Sequence, residues 1–202
     1  MATVSWDEFF YLVTPYLPGA PDATVRIALR DTTAEFLART HLWREEVEPF
    51  TTEAGTADYE LYGSALIEAV LRLTLDGNPL DISDERLVDP SYLLTTSKPT
   101  GFWLRNDTAV RLFPTPDAVY EIGGLVALKP TRLATGVERW IFESWADAIV
   151  SGVIYRLASI PNKGWSDQAL AMLERQRFDR AIANAKNRDL RQIPLRVRAR
   201  PF

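Results

Sequence analysis

The spacing and type of apolar residues change twice along the sequence, and this change constrains the fold more than any other feature. Helical spacing of apolar residues prevails in residues 1–44 and again in residues 132–190. Residues 45–131 consist instead of short runs rich in β-branched and aromatic residues, separated by Gly, Pro, Asn and Asp. The pattern predicts an α+β protein: a discontinuous bundle of about four helices beside an inserted antiparallel β-sandwich or barrel, followed by an extended C-terminal arm, residues 191–202.

Two helices are predicted before the β region. Ser5 and Glu8 have the spacing of a capping box and would begin a short first helix. A turn rich in Pro and Gly follows, and Pro21 or Asp22 opens a second helix that ends at about Thr40. Its apolar residues recur every three or four positions, so one face of this helix should be buried.

Two more helices are predicted after the β region. Thr135 and Glu138 form a second capping box, which would begin a helix with a broad apolar stripe that ends near Ile160. Ser166 is predicted to cap a last helix that ends at about Asp189.

Eight strands are predicted within residues 45–131, at a spacing typical of a small antiparallel sandwich or barrel. They are Glu45–Thr51, Asp58–Leu61, Ala65–Leu75, Leu80–Ile82, Tyr92–Thr96, Phe102–Arg105, Ala109–Phe113 and Tyr120–Leu128. Turn residues at 76–79 and at 106–107 predict two hairpins, one between the third and fourth strands and one between the sixth and seventh.

Five residues are predicted to be structural anchors. Trp140 and Trp145 lie on the apolar stripe of the third helix and should be core residues. Trp43 follows the second helix and should fill the junction between helix and sheet, and Trp165 should anchor the turn between the last two helices. Gly152 would let another helix approach the third helix closely.

Charge is distributed unevenly. Residues 1–171 carry a net charge of −10 and residues 172–202 a net charge of +6. An acidic body with a basic tail predicts a terminal segment that meets a negative surface, and it argues against a body that grips the nucleic-acid backbone. Arg outnumbers Lys by 19 to 4, which favours bidentate contacts at interfaces or reflects genome composition.

The basic tail ends in a strand-like alternation of apolar and basic residues. The residues concerned are Leu195, Arg196, Val197, Arg198, Ala199 and Arg200, with Pro201 and Phe202 after them. Such an arm is suited to pairing with a sheet edge in a neighbouring molecule or to docking on a partner. Two other interpretations stay open: a frayed tail, or a strand that completes the sheet of its own chain.

Sequence motifs for catalysis are absent. The chain has no cysteine, so thiol nucleophiles, disulfides and cysteine metal sites are excluded. Its one histidine, His41, is expected to cap the second helix. No phosphate-binding loop or zinc-protease motif occurs. No secretory signal and no membrane-spanning segment are predicted, and neither a cofactor nor a metal is expected.

Two acidic runs are interpreted as solvated surface. The acids between Asp76 and Asp89 surround a turn but lack the order of a calcium-binding loop. Glu45, Glu46 and Glu48 form a second run, which is a solvated face or, in a protein that lines a DNA conduit, a surface that prevents sticking.

Three segments carry a resemblance to a known family. They are the turn Pro18–Pro21 with the helix end Glu35–Trp43, the helix Trp145–Leu157, and the turn Pro161–Asp167 that leads into the last helix. In type and order these segments resemble the head-to-tail adaptor proteins of tailed bacteriophages.

The resemblance implies a structural virion protein without enzymatic activity. Such adaptors assemble in the host cytoplasm into rings, typically of about twelve copies, by a head-to-tail interface that closes on itself. The ring sits at the neck of the virion between the portal protein and the tail tube or nozzle, and DNA passes through its lumen without specific binding. No membrane is involved. The basic arm would then dock on the portal or on a neighbouring subunit.

A rival interpretation is a module that binds carbohydrate or protein. Trp103, Tyr92, Tyr59 and Tyr62 of the β region could form an aromatic platform if exposed. An enzyme is the third class, since one histidine does not complete a set of nucleophile, base and orienting group.

Overall fold

The computed structural model of the chain describes residues 3–89, 91–92, 95–106 and 108–192. The described chain is an α+β protein, as predicted. The helices are α1 (Phe10–Val13), α2 (Asp22–Thr40), α3 (Arg139–Ala158) and α4 (Gln168–Gln192). The strands are β1 (Thr3–Ser5), β2 (Arg44–Thr51), β3 (Asp58–Glu60), β4 (Leu66–Leu75), β5 (Asn78–Pro79), β6 (Asp81–Ile82), β7 (Gly101–Leu104), β8 (Ala109–Phe113), β9 (Glu121–Lys129) and β10 (Gly136–Glu138).

Two compact units make up the described chain. The helical unit consists of the described residues up to Leu42 and from Pro130 onward, and the β unit consists of Trp43–Lys129. In the helical unit α2, α3 and α4 pack against one another. Their shared core centres on Phe36, which is fully buried and lies 5.4 Å from Trp145 and 6.2 Å from Phe178 between ring centroids.

Helix α2 follows its apolar periodicity closely. Val25, Leu29, Phe36 and other residues at spacings of three or four are buried. The helix ends at His41, whose backbone adopts the left-handed conformation with φ 51° and whose N–H donates to the carbonyl of Leu37 at 2.8 Å. This bond satisfies one of the last carbonyls of the helix, so His41 ends α2 through its backbone.

The first helix begins later than the capping box predicts. Thr3–Ser5 form β1, which pairs antiparallel with β10 and places Val4 opposite Val137. Ser5 still accepts a bond from the N–H of Asp7, at 3.3 Å, but it caps a 3-10 turn, Trp6–Phe9, that precedes α1.

The capping box predicted at Thr135 and Glu138 is wrong. Gly136–Glu138 form strand β10, and α3 begins at Arg139 without a side-chain cap. The carbonyl of Val4 lies against Gly136, in the space that a Cβ atom would occupy. Pairing with β1 therefore uses this segment as a strand, and residue 136 must be glycine for the backbones to approach.

The cap predicted at Ser166 is also wrong. The carboxylate of Asp167 accepts the N–H of Leu170 at 2.9 Å, as an N-cap residue does, and α4 begins at Gln168. The Ser166 hydroxyl is engaged in the preceding turn, where it accepts the N–H of Lys163 and donates to the carbonyl of Ile160.

The β unit contains two four-stranded sheets that share one core. The strand order is β2-β9-β4-β5 in the first sheet and β3-β8-β7-β6 in the second. Buried side chains of both sheets form a single cluster that includes Leu73, Val126, Phe102 and Leu112. Trp43 is half-buried and packs against this cluster.

Two details of the predicted β region are corrected. The second sheet is mixed rather than antiparallel, because β6 runs parallel to β7. The first predicted hairpin closes more tightly than expected: Asp76 and Gly77, both at positive φ, join β4 to β5, and β6 then leaves for the other sheet. The second hairpin, β7 with β8, is confirmed.

The strand expected at 92–96 is not formed by the part of it that the structure describes. Thr96 makes a single parallel bridge with Thr115, and Tyr92 lies outside any strand. Residues 93–94 lie outside the described residues.

Candidate docking surfaces

A network of ion pairs joins the three long helices. Arg156 of α3 donates to Glu35 of α2 at 2.8 Å, and Arg39 of α2 reaches Asp179 of α4 at 3.0 Å. Arg39 also contacts Glu35 at 3.3 Å, so these pairs are continuous. All of these side chains are partly exposed, and such pairs contribute about 0–1 kcal/mol each. The network links the three helices but contributes little to their stability.

Gly152 is a point of close approach between the three long helices. A Cβ atom there would lie 2.5 Å from Cγ2 of Thr32 and 2.8 Å from Cδ2 of Phe178. Contacts that short do not occur for a real Cβ, so α2 and α4 both approach α3 only because residue 152 has no side chain.

A groove opens on the surface of the helical unit, with a volume of about 510 Å³. Tyr11 and Tyr16, both more than half exposed, lie at its N-terminal wall. Glu174 of α4 lies in the opposite wall and is 2% exposed, and Arg177 donates to its carboxylate at 2.6 Å. Removal of Arg177 would leave the buried carboxylate of Glu174 without a counter-charge, so it should lower the stability of the fold.

A second cleft lies in the β unit, with a volume of about 300 Å³. Val47 and Leu61 are buried and Phe50 half-buried at its apolar base, and Glu48 and Glu60 lie at its rim.

Tyr62 stands beside the rim of this cleft and is 77% exposed. Its hydroxyl donates to Glu60 at 2.9 Å, and this bond raises the pKa of Tyr62 because it favours the protonated phenol. The phenol and the carboxylate are thus held together at the mouth of an apolar pocket.

The acids of the 76–89 turn bond to their own chain. Asp76 accepts the N–H of Glu121 at 3.1 Å and the ammonium of Lys98 at 3.2 Å, and these bonds lower its pKa. Asp84 caps a 3-10 turn at Glu85–Leu87. In the part of the chain that the structure describes, no group of three or more His, Asp or Glu side chains could hold a metal ion.

The predicted anchors occupy different depths. Gly152 is buried, whereas Trp140, Trp145 and Trp165 are half-buried. Trp165 has a buried indole nitrogen with no bonding partner in the described structure.

The predicted docking arm lies outside the described residues, apart from the backbone of its first two positions, 191 and 192, which belong to α4. The residues concerned are Leu195, Arg196, Val197, Arg198, Arg200, Pro201 and Phe202.

The aromatic platform of the rival interpretation does not form around Trp103. This residue is 3% exposed and packs on Phe113, with a ring-centroid distance of 5.3 Å, under the guanidinium of Arg111. Tyr59 is half-buried, and its hydroxyl donates to the carbonyl of Thr56 at 2.8 Å. A buried tryptophan cannot stack on a sugar ring, so this interpretation loses its central residue.

Sequence reasoning named only Glu48 and Tyr62 of the residues that line the cleft, and it missed the residues that line the groove. Glu174 could have been found, because it lies in the buried seam of α4, four residues before Phe178 and three after Ala171. An acid at an apolar position of a helical repeat signals a buried pair. Nothing local in the sequence marks Tyr11, Tyr16 or the cleft at Glu60, because each depends on residues distant in the chain.

Comparison with known proteins places the chain in a family. The family model described as SU10 adaptor protein matches residues 9–199, nearly the whole chain. A search of curated proteins finds no match. Among the described residues no helix is both long and apolar enough to span a bilayer. Because the match covers both units, the chain belongs to the SU10 adaptor protein family, and it is a virion-associated structural adaptor of a bacteriophage, a class of protein that associates with other head or tail proteins.

Proposed function

We propose that this adaptor forms a ring at the neck of the virion, between the portal protein and the tail tube or nozzle. The match to the adaptor family over residues 9–199 carries this proposal. A ring of about twelve copies requires one heterologous interface that closes by rotation, so each subunit presents two different surfaces. The helical groove and the β cleft offer two surfaces of different chemistry.

The charge of the β unit supports a conduit through which DNA passes without specific binding. Residues 43–129 contain 15 acidic and seven basic side chains, a net charge of −8. A surface of this sign repels the phosphate backbone instead of binding it. The β unit, placed toward the lumen, would therefore let DNA slide.

The C-terminal arm is proposed as a contact to the portal or to a neighbouring subunit. Three of its arginines, Arg196, Arg198 and Arg200, have no acidic neighbour within residues 190–202. Arginine contacts with an acidic surface are screened by salt, so binding through the arm should weaken as ionic strength rises.

Mass photometry tests the ring directly. The purified protein is measured alone and mixed with the portal ring from the same genome. We expect a species below ring size alone and a portal-bound ring in the mixture. Absence of binding to the portal would contradict the proposal. The binding-module interpretation would then be tested by titration with sugars.

Deletion of residues 193–202 tests the arm. We expect the circular dichroism spectrum to be retained and binding to the portal to be lost. Loss of the folded spectrum would show instead that the arm belongs to the structure of its own chain. Replacing Arg196, Arg198 and Arg200 with Ala should weaken binding and reduce its salt dependence.

A further inference from the structure

The β2 strand is the longest edge strand of the described β unit. It has eight residues and pairs with β9 on one side only. The other edges are short: three residues in β3 and two each in β5 and β6. Short edges offer few backbone groups to another chain, so β2 is the edge at which a further strand could add.

The first half of β2 presents its backbone outward at Glu46. The carbonyl of Trp43 accepts the N–H of Leu128 of β9 at 2.7 Å, and successive residues of a strand point to opposite edges. The groups of Glu46 therefore face away from β9. A register shift after Val47, followed by Pro49, ends this regular edge, so only a short segment could pair here.

The cleft next to this edge favours a strand in which apolar and basic residues alternate. Its base is apolar at Val47 and Leu61, and its rim carries the carboxylates of Glu48 and Glu60. A strand beside β2 would turn one face toward the apolar base and the other toward solvent and the carboxylates of Glu46 and Glu48. An apolar residue followed by a cation, repeated, fits these two faces.

The chain contains such a segment in residues 195–200, where Leu, Val and Ala alternate with three arginines and no acid intervenes. The acidic residues at the β2 edge would repel an acidic strand, but they attract this basic one. Pro194 precedes the segment and favours an extended backbone before it. The matched family range includes residues up to 199, so it includes most of the alternation.

We infer that the cleft of the β unit binds residues 195–202 of a second copy of this chain. A short part of this segment pairs with β2 at Glu46, and its arginines meet Glu46, Glu48 and Glu60. This contact rests on the proposed ring and gives it a heterologous interface: the basic arm of one subunit on the acidic edge of the next. A C-terminal arm exchanged in this way links each copy to its neighbour.

A labelled synthetic peptide of residues 192–202, titrated into the full-length protein, tests the contact apart from the ring. We expect fluorescence anisotropy to show binding that weakens with salt and falls at least tenfold in the variant E48K/E60K. The matched control D81K/E85K makes the same charge change in the same unit at another edge and should bind as wild type does. If peptide binding weakened equally in both variants, the effect would be due to net charge and not to this cleft. If it weakened in neither, the proposed contact would be wrong.

A charge exchange tests whether the partner is a second copy. One full-length variant carries R196E/R198E/R200E, and the other carries E48K/E60K. With the portal present, each alone should fail to form the ring that mass photometry detects for wild type. An equimolar mixture should recover it, because reversed arms meet reversed clefts and native arms meet native clefts. Circular dichroism of each variant confirms that it is folded.

The outcomes separate the contact from the ring. Failure of the mixture to recover would show that the arm binds its own chain or the portal. Rings that form normally from both variants would overturn the contact and leave the proposed function standing. Absence of rings for wild type would overturn the proposed function, while the peptide titration would still decide whether the cleft binds the arm.

Discussion

The helical unit and the β unit treat their charges in opposite ways. In the helical unit acids pair with arginines of other helices, as Glu35 does with Arg156 and Asp179 with Arg39. The β unit has fifteen acids for seven basic residues, so ion pairs within the unit leave a net charge of −8 that is not neutralised. Charge in the helical unit links neighbouring helices, whereas the excess charge of the β unit is directed at solvent or at a partner.

The two units also differ in how their cores are closed. The helical core joins aromatic rings, Phe36, Trp145 and Phe178, around a point where helices meet at Gly152. The β core is mainly aliphatic and lies between two sheets. A core built around one close approach tolerates added volume poorly, while a core spread over two sheets distributes a defect over many contacts. Substitutions in the two units should therefore disturb different elements, and added volume should be tolerated less well in the helical unit.

Truncation of one buried ring in each unit should have the largest effect. Phe36→Ala and Phe102→Ala each remove a ring that is at most 1% exposed, and each should cost about 3–5 kcal/mol of unfolding free energy. Hydrogen exchange measured by mass spectrometry should rise in α2, α3 and α4 for the first variant and in the sheets for the second. Faster exchange throughout the chain in both variants would show that the two units unfold as one.

The fold class could be predicted from the sequence because each unit has its own periodicity. The spacing of apolar residues in α2 and the β-branched runs around the 106–107 turn are local signals, and both give the observed elements. One error occurred where a local signal competed with pairing to a distant strand. Thr135 and Glu138 have capping-box spacing, but pairing with β1, more than 130 residues away, makes 136–138 a strand.

The candidate surfaces were less predictable for the same reason. The cleft depends on Glu48 and Glu60, which belong to different sheets and meet only in the folded unit. The alternation of the arm is a local pattern and was visible in the sequence, whereas the cleft that we propose as its binding surface was not. An alternating segment can be recognised from neighbouring residues, but a cleft formed by distant strands cannot.

Added volume at Gly152 should have the next largest effect. Gly152→Ala places a methyl group against Thr32 and Phe178, and overpacking of this kind costs about 1–3 kcal/mol. Helix propensity favours alanine by about 1 kcal/mol, so the cost of the clash exceeds the measured net loss by about that amount. Gly164→Ala is the matched control, because nothing lies within 4 Å of its Cβ position. Urea denaturation of both variants gives the comparison, and equal midpoints would show that α3 shifts to accept the methyl group.

Loss of the partner of Glu174 should have a moderate effect. Arg177→Ala leaves a carboxylate that is 2% exposed without its bond, and we expect a cost of about 1–2 kcal/mol because Arg177 itself is half exposed. Arg175→Ala removes an exposed arginine of the same helix, 3.9 Å from Asp179, and should cost less than about 0.5 kcal/mol. If thermal denaturation shows equal losses, Glu174 reaches solvent in the variant, and charge pairing in the helical unit is no stronger than on an open surface.

Substitution of Asp76 should have the smallest effect on stability. It tests whether acids that are hydrogen-bonded within the β unit stabilise the unit, in contrast to acids that face solvent or a partner. The N–H of Glu121 and, next, Lys98 lower the pKa of Asp76 below the ordinary value of 3.8. A carboxylate whose pKa is lower in the folded state stabilises the fold above its unfolded pKa, and this stability is lost as pH falls through the folded pKa. Asp76→Asn keeps the positive φ that Asn tolerates but loses the charge.

The urea midpoint of Asp76→Asn should thus lie below that of wild type at pH 7, and the difference should shrink below about pH 4. Asp81→Asn removes one negative charge from an exposed strand of the same unit and serves as the control. In a unit with a net charge of −8, removing any acid relieves repulsion, so Asp81→Asn should raise the midpoint slightly. A rise in the midpoint for Asp76→Asn as well would mean that charge repulsion within the β unit outweighs the bonds of Asp76 to Glu121 and Lys98. Even the hydrogen-bonded acids of the β unit would then lower its stability, and a basic partner would relieve that repulsion.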